Sequence, residues 1–147
     1  MQERFETFTV LINRISRDIR KIKNQEMADY HLRSAHASCL YYIYSLGSVT
    51  SAELCEHCEE DKATISRAVD YLETNGFLLR DAGAKRYKSP LLLTEKGRDT
   101  GKRIAEKIDG VLETISHALT EEERIEFYRS LSTISRSLEA IVQNSEE

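Results

Sequence analysis

Apolar residues recur at helical spacing along most of the chain, and this pattern predicts six helices. The first helix has an apolar residue every three or four positions, a narrow seam typical of helices that pair with another helix. A second helix is predicted from about His31 to Leu46, after a polar connection over 24–29. The first seam contains Phe5, Phe8, Ile12, Ile15, Ile19 and Ile22, and the inner face of the second helix contains Leu32, His36, Cys39, Ile43 and Leu46.

The stretch from Asp61 to Gly76 contains its own start and stop signals for a helix. Asp61 can cap free backbone amides, and Gly76 can adopt the left-handed conformation that ends a helix. Just before it, Thr50 and Glu53 have the spacing of a capping box and open a short helix to about Cys58. Two capped helices joined by a short turn predict a helix-turn-helix with the second helix as the reader. Its predicted core stripe is Ile65, Ala68, Val69 and Leu72, and its outer face offers Lys62, Thr64, Ser66 and Arg67.

A short hairpin is predicted after the reading helix. Its strands are apolar, at about 77–79 and 91–93, and the turn-forming segment 81–86 lies between them. Pro90 indicates an edge position or a bulge. A helix-turn-helix followed by such a hairpin is a winged helix, in which Lys85 and Arg86 would reach the DNA backbone or the minor groove. A hairpin whose charges only confer solubility is the alternative.

Two long helices are predicted at the carboxyl end, the first capped by Thr94 and the second opened by a capping box of Thr120 with Glu123. Together with the first helix they have more apolar surface than a small winged-helix domain could cover, so a two-fold dimer is expected. For the first helix, packing on its own domain is the alternative. The predicted organisation is a dimerisation helix over 1–30, a winged helix-turn-helix over 31–95 and dimerisation helices over 96–147. The residues expected at the dimer interface are Phe5, Phe8, Ile12, Ile125, Tyr128, Leu131 and Leu138.

Charge is distributed unevenly along the 147 residues. The net charge is −4, which alone argues against a nucleic-acid partner. Yet residues 62–103 have ten Lys and Arg against five Asp and Glu, a local charge of +5, while residues 104–147 have four against ten, or −6. A phosphate-binding face needs local rather than total positive charge. There is no apolar run of membrane-spanning length and no signal peptide, and three cysteines are too few for a disulfide scaffold, so a reducing cytoplasm is expected.

The order of motifs resembles the multiple-antibiotic-resistance regulator (MarR) family of bacterial winged-helix repressors. The matching residues are Thr50-x-x-Glu53-Leu54, Asp61-Lys-Ala-Thr-Ile-Ser-Arg67, Leu72-Glu73-x-x-Gly76-Phe77, the basic hairpin, and Leu93-Thr94-Glu95-Lys96-Gly97. The resemblance implies a mainly α fold with a small β-hairpin, in which a winged helix-turn-helix DNA-binding domain is flanked by terminal dimerisation helices. It further implies a homodimer that binds a pseudo-palindromic operator and is released by an effector of unknown identity.

The DNA-contacting residues expected from these motifs lie on the two helix-turn-helix segments and the wing. One departure from the family pattern is in the wing, where Ala84-Lys85-Arg86 replaces the frequent Asp-x-Arg, so that the acid that would orient Arg86 is missing. The expected DNA contacts are Thr50, Ser51, Lys62, Ala63, Thr64, Ser66, Arg67, Lys85, Arg86 and Lys88.

The cysteines and histidines raise alternatives to this interpretation. Cys55 and Cys58 have the spacing of a thiol oxidoreductase or half a zinc site, but no second such pair exists and core packing of both is the alternative. His36, Cys39 and His117 are candidates for a zinc sensor within the same regulator class, with core packing again the alternative. A winged-helix protein–protein module is the other functional class. No enzyme motif is present, so neither catalysis nor a cofactor is expected.

Overall fold

A computed structural model describes residues 5–28, 31–80 and 88–145. The predicted fold class, mainly helical with a small hairpin, is confirmed. No helix in these ranges has both the length and the apolar content to cross a membrane. The elements are α1 (Phe5–Met27), α2 (Ser34–Leu46), α3 (Ser51–Cys58), α4 (Lys62–Thr74), β1 (Leu78–Arg80), β2 (Leu91–Leu93), α5 (Glu95–Ser116) and α6 (Glu121–Ser145).

Side-chain caps open four of the helices where the sequence predicted them. In each, an oxygen of the capping residue accepts from the backbone N–H three residues later, which satisfies a donor that the helix leaves free. The acceptors and distances are Thr50 Oγ1 from Glu53 N (3.2 Å), Asp61 Oδ1 from Thr64 N (2.7 Å), Thr94 Oγ1 from Gly97 N (3.0 Å) and Thr120 Oγ1 from Glu123 N (3.2 Å).

The core lies between α2, α3, α4 and the hairpin. Helix α2 is central, because it packs against α1, α3, α4 and β2. The apolar stripe predicted for the reading helix points into this core, and burying such side chains stabilises each by about 1.5–3 kcal/mol. The largest fully buried side chains are Leu40, Ile43, Leu54, Ile65, Leu72, Leu91, Val69 and Cys39.

The hairpin is antiparallel, and Leu79 pairs with Leu92 at its centre. Val49, between α2 and α3, forms a bridge to the same small sheet, since its carbonyl accepts from Leu91 N at 2.8 Å. Pro90 directly precedes β2, so its missing N–H breaks no pairing within the strand. The hairpin is therefore tied to the start of the helix-turn-helix.

Three sequence predictions were wrong in detail. Helix α1 continues to Met27, whose side chain is buried, where a polar connection over 24–29 was expected. Helix α2 begins at Ser34 rather than near His31, which has a positive φ of 55° outside the helix. Leu46, expected on the inner face, is 52% exposed. In each case contacts with other segments, rather than local periodicity, decided the outcome.

The chain divides into two compact units, Met1–Lys107 and Ile108–Glu147. Within the first unit, α5 begins in close contact with the hairpin and α2, through Gly97 next to Phe77 and Gly101 next to Tyr44. The predicted boundary at residue 96 therefore lies before a stretch of α5 that belongs to the first unit. In the second unit, α6 has no buried residue.

Candidate nucleic-acid interface

Helices α3 and α4 form the helix-turn-helix. The three residues between them are Glu59, Glu60 and Asp61, and Glu59 adopts the left-handed conformation with φ of 50°. Its N–H donates to Glu56 O at 3.4 Å, and Glu60 N–H donates to Cys55 O at 3.3 Å. These bonds close the end of α3 and reverse the chain, which lets α4 begin immediately at its cap.

The first two turns of α4 present one face to solvent. Four of the predicted DNA-contacting residues are exposed there, and Thr64 at the edge of the face is half-buried. The opposite face of the same turns is buried in the core. A helix held along one side in this way leaves its amino-terminal donors free to approach base edges or phosphates. The structure thus brings together Lys62, Ala63, Thr64, Ser66 and Arg67 as predicted.

A chain of hydrogen bonds organises this face. Thr64 Oγ1 donates to Asp61 Oδ2 at 3.2 Å, and Arg67 Nη2 donates to Thr64 Oγ1 at 3.3 Å. The hydrogen bond from Thr64 N–H, with that from its hydroxyl, holds the pKa of the Asp61 carboxyl below its usual value. Asp61 is therefore an anion at neutral pH, and it orients Arg67 through Thr64.

The other predicted contacts are distributed less favourably. The Thr50 hydroxyl is engaged with Glu53, to which it donates at 3.1 Å. Ser51 is only 4% exposed, so its expected side-chain contact with DNA does not suit its buried position. Lys88 is exposed beside the hairpin, whereas Lys85 and Arg86 lie outside the described residues.

Arg80 is a residue whose role the sequence did not reveal. Counted among the ten cations of the basic segment, it instead forms ion pairs with Glu73 at 2.5 Å and Asp70 at 3.7 Å, and its side chain is 16% exposed. These pairs join β1 to the outer part of α4. Since the partners lie seven and ten residues away on another element, no periodic pattern could have indicated them.

The zinc candidates do not form a cluster with other ligands in the described ranges, where no group of three or more His, Cys, Asp or Glu is placed to hold a metal. His36 Nδ1 accepts from Arg33 N–H at 3.0 Å, and its ring stacks on Tyr71 with centroids 4.4 Å apart. Burial, and secondly the charge of Arg33, lower the pKa of His36. His117 lies on the exposed end of α5, 3.9 Å from Glu113, and Cys39 is buried in the core.

The residues expected at a dimer interface are largely uncovered in the single chain. Ile12 is exposed on α1, and Ile125, Tyr128 and Leu138 are exposed on α6. Phe8 and Leu131 are half-buried, and the Phe5 side chain lies outside the described residues.

Comparisons with known proteins bear on both the fold and the site. Residues 32–86, which include α3, α4 and β1, match a family model described as MarR family. The chain is 28% identical over 85 residues to YwoH of Bacillus subtilis (strain 168), described as an uncharacterized HTH-type transcriptional regulator. That match covers 58% of this chain and 62% of the relative, so the chain spans about three-fifths of that protein's length.

Solved structures extend the likeness of the fold to nearly the whole chain. The MarR family regulator NMB1585 from Neisseria meningitidis has a TM-score of 0.83 at 18% identity, with 98% of this chain and 99% of the other covered. S. aureus MepR in complex with DNA has a TM-score of 0.78 at 19% identity, with 89% and 97% covered. At these identities the likeness establishes a shared fold.

Proposed function

Because the chain belongs to the MarR family, we propose that it is a DNA-binding transcriptional regulator, acting as a homodimeric repressor on a pseudo-palindromic operator. The observation that carries the proposal is the exposed amino-terminal face of α4, with its two cations and two hydroxyls opposite a buried apolar stripe. Helix α4 would enter the major groove of each half-site.

The side chains of that face suit both kinds of DNA contact. Lys62 and Arg67 can donate to phosphate oxygens or to the O6 and N7 atoms of guanine, and Ser66 can bond either phosphate or a base edge. Lys88 and the wing residues Lys85 and Arg86 would contact the flanking backbone. The DNA complex of S. aureus MepR supports this role, since that protein has a similar fold.

A dimer would explain the uncovered apolar residues on α1 and α6. Burial of such side chains against a second copy is the common solution for helices with an apolar stripe and no partner in their own domain. Two reading helices related by a two-fold axis would contact half-sites about one helical turn, ~34 Å, apart. We further propose that an effector of unknown identity releases the dimer from its operator.

Fluorescence anisotropy with duplex DNA from the region upstream of the gene tests DNA binding. The wild-type chain is expected to bind with an affinity that falls steeply as salt rises, because bound cations displace counterions. Arg67→Ala should weaken binding and reduce the salt slope by about 0.9 if Arg67 contacts one phosphate. Arg136→Ala on α6 is the matched control, since it removes the same charge from a helix outside the proposed interface.

The result for the two variants decides between DNA binding and the alternative. Equal losses in Arg67→Ala and Arg136→Ala would indicate a nonspecific charge effect and remove Arg67 from the interface. The absence of any salt-sensitive binding by the wild-type chain would contradict the proposal and favour a protein–protein module. Transcription in vitro from the same promoter tests repression, with lower transcript yield expected on adding the protein.

A further inference from the structure

Two cysteines far apart in sequence contact each other behind the helix-turn-helix. Cys39 is a fully buried residue of α2, and Cys58, the last residue of α3, is half-buried. The Cys39 thiol donates a hydrogen bond to the Cys58 sulfur. One member of the pair is therefore reachable from solvent and the other is enclosed by the core.

The surroundings differ sharply between the two sulfur atoms. The hydrogen bond from Cys39 and the charge of Lys23 lower the pKa of Cys58, against the opposing effects of burial and Glu60. The hydrogen bond to Cys58 and burial raise the pKa of Cys39. Lys23 is held in place by a hydrogen bond from its Nζ to Ser38 Oγ at 3.0 Å. A thiolate is the nucleophilic form of cysteine, so Cys58 is the more reactive of the two.

We propose that Cys58 and Cys39 form a redox pair that a hydroperoxide converts to a disulfide between α3 and α2. Cys58 is the attacking thiol and Cys39 the resolving thiol. Cys55, one helical turn before Cys58, is a poorer partner. Residues three apart on a helix have Cβ atoms about 5–6 Å apart, whereas a disulfide requires about 3.5–4.5 Å.

The reaction proceeds in two balanced steps. The Cys58 thiolate attacks the terminal oxygen of the hydroperoxide ROOH, the O–O bond breaks, and the alkoxide takes up a proton to leave as ROH, which leaves a sulfenic acid on Cys58. The Cys39 sulfur then attacks the sulfenic sulfur, the S–O bond breaks, and the hydroxide leaves as water with the Cys39 proton. Two thiols are oxidised by two electrons, and the hydroperoxide is reduced to an alcohol and water.

The disulfide would act on the reading helix through a short lever. An S–S bond is about 2 Å long, shorter than any hydrogen-bonded contact between two sulfurs. Leu40 and Ile43 anchor α2 in the core, so the end of α3 must move. Cys58 precedes Asp61, the cap of α4, by only three residues. Oxidation should therefore shift the start of α4 and weaken DNA binding, a consequence that rests on the proposed function.

Peptide mapping by mass spectrometry tests the pairing without DNA. After treatment with hydrogen peroxide, the wild-type chain and Cys55→Ser should both yield a Cys39–Cys58 linked peptide that a thiol reductant abolishes. Cys58→Ser should yield none. A Cys55–Cys58 link, or no linked peptide in the wild-type chain, would overturn the proposal.

Trapping the intermediate separates the two roles. Cys39→Ala keeps the attacking thiol but lacks the resolving one, so Cys58 should accumulate as a sulfenic acid that dimedone labels. Lys23→Gln should slow oxidation severalfold near neutral pH and shift its pH profile upward, with Lys21→Gln on the same helix as the control. No dimedone label on Cys58 in Cys39→Ala, or equal rates in the two lysine variants, would contradict the assignment.

DNA binding is measured on the same oxidised and reduced samples. We expect oxidised wild-type protein to bind operator DNA at least tenfold more weakly than reduced protein, and Cys58→Ser to be unaffected by peroxide. Unchanged affinity in a sample that contains the disulfide would overturn the coupling to α4. If the reduced protein binds no DNA at all, the proposed function fails while the mapped disulfide still stands.

Discussion

Arg67 donates a hydrogen bond from Nη2 to Thr64 Oγ1, 3.3 Å away and one turn earlier on α4. Thr64 in turn bonds the Asp61 carboxylate at the start of the helix through its N–H and its hydroxyl. Arg67 is the longest side chain of the proposed reading face, and a long side chain loses much rotamer freedom when it binds. Holding it in one orientation before DNA arrives reduces that cost.

Thr64→Val should weaken DNA binding while leaving the salt dependence unchanged. Valine keeps the shape of threonine but loses the hydroxyl, so Arg67 keeps its charge and loses its orientation. A hydrogen bond contributes about 0.5–1.5 kcal/mol net, which corresponds to a loss of affinity of about two- to tenfold. Anisotropy titrations over a range of salt measure both quantities. Thr74→Val, at the other end of α4, is the control, and equal losses in the two variants would exclude this role of Thr64.

The Asp61 cap should make stability depend on pH at the acid end. Its hydrogen bonds from Thr64 lower the pKa of the carboxyl below the ordinary value of 3.8. A lowered pKa in the folded state means that the contribution is fully present above that ordinary value and is lost as pH falls through the folded one. Asp61→Asn retains an oxygen acceptor that does not titrate in this range.

Urea unfolding midpoints from pH 7 down to pH 2.5 measure this dependence. The stability advantage of the wild-type chain over Asp61→Asn should shrink at the acid end. Asp109→Asn on α5 controls for the loss of one exposed carboxylate. A difference between wild type and Asp61→Asn that stays constant with pH would show that the cap does not depend on its charge.

Gly97→Ala should destabilise the chain because α5 passes very close to the strand connection. A Cβ at Gly97 would overlap the carbonyl oxygen of Phe77, which accepts a backbone hydrogen bond from Thr94 N at 3.1 Å. Backbone atoms cannot rotate away as a side chain does, so we expect a loss of at least about 1–3 kcal/mol. Gly110→Ala on the same helix meets nothing within 4 Å and should stabilise by about 0.5–1 kcal/mol. Urea unfolding of the two variants provides the measurement, and similar effects would disprove the close approach.

Leu138→Glu should disrupt the proposed dimer. Leu138 is 43% exposed in the single chain, and a buried unpaired carboxylate at a dimer interface costs several kcal/mol. Sedimentation velocity should therefore show a shift from dimer to monomer at micromolar concentration. Ala140→Glu lies on the opposite side of α6 and should leave the dimer intact. A monomeric wild-type chain, or dimers in both variants, would contradict this use of α6.

The sequence by itself determined the features that depend on residues close together in the chain. Caps such as those of Thr50 and Asp61 connect groups three residues apart, so their spacing alone predicts them. The stripe of α4 follows from the helical repeat, which assigns Val69 to the core and Arg67 to the outside. The helix-turn-helix and its outward face therefore follow from the order of the residues alone.

Only the tertiary structure decided which distant residues meet. The Cys39–Cys58 contact joins helices 19 positions apart, whereas the spacing had drawn attention to Cys55 with Cys58. Arg80, one of the cations of the basic segment, is engaged in an ion pair with Glu73, and Ser51 is buried by packing that no local pattern encodes. Local hydrogen bonds and helical periodicity act over a few residues, whereas burial and ion pairing depend on how whole elements pack.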